Sequence, residues 1–142
     1  MTNEPKQISR QIIEEVFNDG RLDLVDEIVT ANFIGHDPAL PQETSGPAGL
    51  KELVAGYRDA FPDIKITIDD QIAEGDRVVT RWTARGTHKG DLWGIGATGK
   101  EATITGTTTD KIENGHLVES WSNWDTMGLM QQLGVIETSA KV

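Results

Sequence analysis

The sequence predicts one α+β domain in which helices cover one face of a curved antiparallel sheet. Three observations lead there. Apolar residues recur at helical spacing from Ile8 to Phe61. From Ile64 to Trp124 they alternate with polar residues instead. Short turns, "EGD" at 74–76 and "ENG" at 113–115, then join the alternating segments as neighbours in a meander. Helices gathered at one end of the chain and strands at the other imply two layers packed around one core.

The elements follow in order. In "EPKQISRQIIEEVFNDG", Ile8, Ile12 and Val16 lie four apart, with Ile13 and Phe17 beside them, and Asn18-Asp19-Gly20 stops the helix. "RLDLVDEIV" gathers Leu22, Val25, Ile28 and Val29 on one side of a second, short helix. "ANFIGHDPALPQETSGP" reads as an extended piece and a polar loop, because Pro38, Pro41 and Pro47 forbid regular structure through most of it. A third helix carries Leu50, Leu53, Val54, Tyr57 and Phe61, with Ser45 as its expected N-cap and Pro47 in its first turn. Pro62 ends it by excluding Phe61 from helical geometry. Ile64, Ile66, Ile68 and Ile72 alternate along a half-buried strand. "RVVTRWTARGTH", the threonine-rich "EATITGTTTDKI" and "HLVESWSNWD" are the next strands, with the glycine-rich "GDLWGIGATGK" crossing between the first two. "TMGLMQQLG" closes the chain as a helix capped by Gly134.

The 142 residues suit one domain, 1–142, with a real core. There is no cysteine, so neither disulfides nor a thiolate zinc site can form. The net charge of −10 is scattered and leaves no cationic footprint for nucleic acid. No apolar run has the length of a membrane span, and the first residues lack a signal-peptide core, so a cytoplasmic protein without membrane partners is expected. His36, His88 and His116 lie far apart with no compact acidic cluster, so no metal site is expected.

Helices laid on a curved sheet leave a cavity between the layers, the usual place for a small-molecule site. Strict alternation puts Leu117, Glu119, Trp121, Asn123 and Asp125 on one face of the last strand. If Trp121 lines the cavity, it desolvates Asp125 and lifts its pKa into the range of a general acid or base. The competing reading is a helix N-cap, which lowers the pKa. Arg81 suits an oxyanion or a surface ion pair. His88 is either a proton-transfer group or an ordinary loop histidine. His36, before Asp37-Pro38, either reaches the cavity mouth or sits in a turn that Asp37 closes through its own side chain. Tyr57 and Phe61 belong to an apolar stripe, and the Tyr57 hydroxyl needs a partner.

"GTHKGDLWGIGATGK", "KIENGHLVESWSNWD" and "GLMQQLG", with "IIEEVFNDGRLDLVDEIVTANFIGHDP" and "GPAGLKELVAGYRDAFPDI", resemble the SnoaL-like polyketide cyclases, or ester cyclases, over nearly the whole chain. The resemblance implies the nuclear-transport-factor-2-like (cystatin-like) cone and a homodimer through the outer sheet face. It implies cofactor-independent acid/base chemistry on a hydrophobic carbonyl compound, either aldol cyclisation of a polyketide-like ester or isomerisation. By this resemblance Asp125 is the acid/base, and His88 matches a histidine of those cyclases. By analogy with oxyanion sites, His88 and Arg81 would stabilise the enolate oxygen. His36, Tyr57, Phe61, Trp121, Asn123 and Lys111 are then the expected ligand contacts. Those cyclases carry a supporting histidine near the end of the preceding strand, and Lys111 stands there in this chain. That exchange keeps a second reading open, a small-molecule-binding protein without turnover.

Overall fold

The computed structural model describes residues 5–137. The element order is α1 (Pro5–Gln11), a π-helical continuation (Ile12–Asn18), α2 (Asp23–Ile28), β1 (Val29–His36), β2 (Thr44–Ser45), α3 (Gly46–Ala60), β3 (Lys65–Glu74), β4 (Arg77–Thr87), β5 (Glu101–Glu113), β6 (His116–Trp124) and α4 (Thr126–Gln132). The six strands form one curved, unclosed sheet in the order β2-β1-β6-β5-β4-β3. The meander β3 to β6 is antiparallel, with tight turns joining β3 to β4 and β5 to β6 and the longer segment 88–100 joining β4 to β5. β1 joins it parallel to β6, so the sheet is mixed rather than purely antiparallel.

The stripe on the first helix buries Ile8, Ile12, Ile13 and Val16 against the sheet. Its last two turns unwind to π geometry, where Arg58 donates to the carbonyls of Phe17 and Asn18, both at 2.7 Å. Asn18 then ties this end to the sheet edge through both backbone groups of Ile66. Two apolar clusters make the core. One joins α1, α2 and the first part of α3 to β1 and β6, and the other joins Ala60 and Phe61 to β5 and α4. Ser45 makes no side-chain cap bond. It pairs with Ile34 as part of β2.

Two bulges set which side chains face inward. The β5–β6 pairing runs from Ile112↔Leu117 directly to Lys111↔Glu119, so Val118 is an extra residue on β6. Leu117 is buried in the core, but beyond the bulge the inward residues are Ser120, Ser122 and Trp124. The strict alternation expected from Leu117 to Asp125 is therefore broken, and Trp121 and Asn123 turn to the outer face. A second irregularity between Ile68 and Asp70 turns Gln71 toward the buried Thr80, at 3.2 Å, and leaves Ile72 64% exposed, against the expectation that Ile72 shares the buried face of Ile66.

Candidate functional site

Between the helices and the sheet lies a cavity of about 180 Å³. Its roof comes from the helical layer, Ile12, Ile13, Phe17, Leu50, Leu53 and Tyr57. Its floor is the inner sheet face, Trp82 and Ala84 on β4, Ala102, Ile104, Thr108 and Asp110 on β5, and Ser120, Ser122 and Trp124 on β6. The lining is overwhelmingly apolar, and three clusters of its polar groups lie along β6, apart from His36, Thr44 and Arg85 elsewhere on the wall.

At one end the Trp124 indole N–H donates to Asp37 Oδ2 at 2.9 Å, while Asp37 Oδ1 takes the Ala39 N–H at 2.8 Å. The second bond is the turn the sequence offered for Asp37, and the first ties that turn to the sheet. Tyr57 packs edge-on against Trp124, ring centroids 6.4 Å apart, and its buried hydroxyl has no hydrogen-bond partner among the described residues. Burial, aided by the negative charge of Asp37, pushes the Tyr57 hydroxyl well above its ordinary pKa. In the middle the Trp82 indole donates to Thr108 Oγ1 at 3.0 Å, and Thr108 meets Ser122 Oγ at 3.0 Å. At the other end Asp110 is buried, taking the Ser9 hydroxyl on Oδ2 at 2.7 Å and the Ser120 hydroxyl on Oδ1 at 2.5 Å. Desolvation raises its pKa, only partly offset by those two hydroxyls.

The expected residues divide. Tyr57 and Phe61 line the cavity. Asp125 does not: it is exposed, and its Oδ1 accepts the Gly128 N–H at 2.9 Å, so it is the N-cap of α4 itself, without help from Thr126. Trp121 and Lys111 lie on the outer face. Trp121 stacks on His36 at 5.5 Å and under Arg77 at 5.1 Å, and Lys111 pairs with Glu113 at 3.4 Å. Asn123 and Arg81 are exposed on that same face, Arg81 opposite Asp70 and Thr107 in the neighbouring strands. His36 sits at the cavity rim, but its ring is held on the outer face between Glu119 at 2.7 Å and Glu43 at 3.0 Å. His88 is fully buried behind Phe61, ring centroids 5.4 Å apart. Its Nδ1 accepts the Thr98 N–H at 3.2 Å, which leaves the ring proton on a buried, unpartnered Nε2.

Asp110 and Ser9 were not among the expected residues, although β5 carried a signal. Ala102, Ile104, Thr108, Asp110 and Ile112 share one parity, which places Asp110 on the apolar face of its strand. Among the described residues no group of histidines and carboxylates has the geometry to hold a metal ion, and no helix is long and apolar enough to cross a membrane.

The family model described as SnoaL-like polyketide cyclase matches residues 7–133. The chain belongs to that family. Solved structures agree with this SnoaL-like assignment. A protein from Acidithiobacillus ferrooxidans assigned as a polyketide cyclase is 33% identical, with a TM-score of 0.83, covering 95% of this chain and 97% of its own. IdmH from Streptomyces antibioticus, assigned likewise, is 28% identical with a TM-score of 0.81, covering 93% and 99%. AclR from Streptomyces galilaeus, assigned as a hydroxylase, is 24% identical with a TM-score of 0.84 over 99% and 87%, and at that identity shares the fold alone. No curated protein matches the chain in sequence. The SnoaL-like, nuclear-transport-factor-2-like fold expected from the sequence is thus the one observed.

Proposed function

We propose that this SnoaL-like protein is an enzyme that moves protons on an apolar carbonyl compound without a cofactor, driving aldol cyclisation or isomerisation. One observation carries the reading: an apolar cavity holds the unpartnered Tyr57 hydroxyl within the field of the Asp37 carboxylate. Tyr57 stays protonated and donates to the ligand's carbonyl oxygen. Asp37, aimed by the Trp124 and Ala39 N–H groups, takes the proton from the carbon next to that carbonyl. The C–H electron pair moves toward the oxygen, where the Tyr57 O–H stabilises the growing negative charge in a dry site. In a cyclisation the enolate carbon then attacks a second carbonyl of the same molecule, and Asp37 returns its proton to the new alkoxide. In an isomerisation the proton returns to another carbon.

The test is deuterium exchange at the activated carbon of 2-tetralone in D2O, followed by NMR. The protein accelerates exchange, Asp37→Asn abolishes the acceleration and Tyr57→Phe reduces it. Asp37→Asn exchanging at the native rate removes Asp37 from the mechanism. A second reading, binding without turnover, is favoured by the position of Asp125, which caps α4 outside the cavity. Binding of 2-tetralone without acceleration selects it.

The reading includes a homodimer through the outer sheet face. Its support is the half-buried Trp121 beside the exposed Ile34, Val79 and Ile72 on a face that no helix among the described residues covers.

A further inference from the structure

Asp110 is a buried carboxyl that the proton transfer above does not use. A carboxyl at the floor of an apolar cavity costs stability unless it is hydrogen-bonded, and a structural role alone would be served as well by an apolar residue there. Ser9 reaches it from α1 and Ser120 from β6, one hydroxyl to each oxygen, and the carboxyl still forms part of the cavity wall. The inward side chains of β6 set its distance from the reacting end. Ser120 holds Asp110 and Trp124 holds Asp37. They are four residues apart, roughly 13 Å along the strand. Between them, the Thr108–Ser122 pair takes the Trp82 indole proton.

We propose that Asp110, with Ser9 and Ser120, forms a second polar subsite that takes a hydroxyl or carbonyl oxygen at the end of the ligand remote from Asp37. The ligand class is then an elongated apolar compound oxygenated at both ends, not a simple monoketone. A ligand hydroxyl can donate to the Asp110 oxygens, and a ligand carbonyl can accept from the Ser9 or Ser120 hydroxyl, while burial raises the pKa of the carboxyl. The proposal rests on the cavity being the ligand site but not on turnover there.

Calorimetric titration with naphthalene, 2-naphthol and 2,6-dihydroxynaphthalene tests it. The native protein should bind the diol about tenfold more tightly than 2-naphthol, the worth of one good buried hydrogen bond. Asp110→Asn, which still donates and accepts, should keep most of that preference. Asp110→Leu should lose it while still binding naphthalene. Should Asp110→Leu fail to fold, infrared difference spectra decide: the Asp110 carboxyl band, identified by its absence in Asp110→Asn, should shift when the diol binds and stay still with naphthalene. No preference in the native protein, a preference surviving Asp110→Leu, or a band unmoved by the diol overturns the subsite. Asp37→Asn separates this proposal from the proton-transfer reading. It should abolish 2-tetralone exchange yet leave the preference for the diol unchanged, whereas failure of the subsite leaves exchange intact.

Discussion

Gly106 sits on β5 between two tryptophans, opposite Trp82 on β4 and Trp124 on β6. A Cβ added there would lie 2.4 and 2.6 Å from Trp82 ring atoms and 2.8 Å from the Trp124 Cβ. Carbon atoms pack at roughly 3.5–4.0 Å, so the Trp82 indole must retreat by about 1 Å. Overpacking of this kind costs ~1–3 kcal/mol. The retreat also breaks the Trp82–Thr108 bond, worth ~1 kcal/mol net. Reduced freedom of the unfolded chain returns ~0.5–1 kcal/mol. Gly106→Ala should therefore destabilise by about 2 kcal/mol, or roughly 8 °C in Tm for a chain of this size. Urea unfolding measures it. Adding Trp82→Phe, which removes the clashing outer ring, should recover part of the loss, seen as a coupling of about 1 kcal/mol in the double-mutant cycle. A Gly106→Ala penalty under ~0.5 kcal/mol, or strict additivity with Trp82→Phe, would refute the reasoning that this glycine exists to seat the two rings.

Asp125→Ala should cost about 1 kcal/mol through loss of the α4 cap and leave 2-tetralone exchange within about twofold, as calorimetric unfolding and NMR would register. Tyr57→Phe removes a buried hydroxyl that has no partner, so stability should hold or rise by ~1 kcal/mol while exchange falls, a divergence visible by pairing urea unfolding with the exchange assay. The raised pKa of Asp110 means that the folded chain keeps a proton the unfolded chain releases, so this residue's contribution to stability is full below ~4, the unfolded value, and is lost as pH rises toward the folded value. Unfolding midpoints against pH should show that decline, and Asp110→Asn should lack it. On the proposed homodimer, Trp121→Glu should shift the light-scattering mass from dimer to monomer without reducing 2-tetralone binding, because Trp121 faces away from the cavity.

Much of the fold was legible because it rests on period. Ile8, Ile12 and Val16 could face one side only of a helix, Pro62 could not continue α3, and the short turns dictated an antiparallel meander. Long-range pairing was not legible in the same way. Nothing local in "ANFIGH" announces that β1 will lie parallel to β6. The site suffered most, because its reading depended on counting by twos along β6, where tryptophans occupy both parities. Leu117 is buried, so unbroken alternation assigns Trp121 to the interior. Val118 breaks the count, and no turn residue or glycine marks the break. On β5 the count is unbroken through Asp110, and the same reasoning applied there finds the buried carboxyl.

That one unpaired residue has a genetic consequence. If the codon for Val118 were deleted, Glu119 would follow Leu117 directly and still meet Lys111, so Ser120, Ser122 and Trp124 would keep facing the cavity. Versions of β6 that differ in length by this one residue are thus compatible with the same chemical interior. Deleting a codon further along, at Asn123, would instead move Trp124 one place along the strand and offer it to the opposite face. The bulge is the position at which this strand absorbs a change of length without exchanging its two faces.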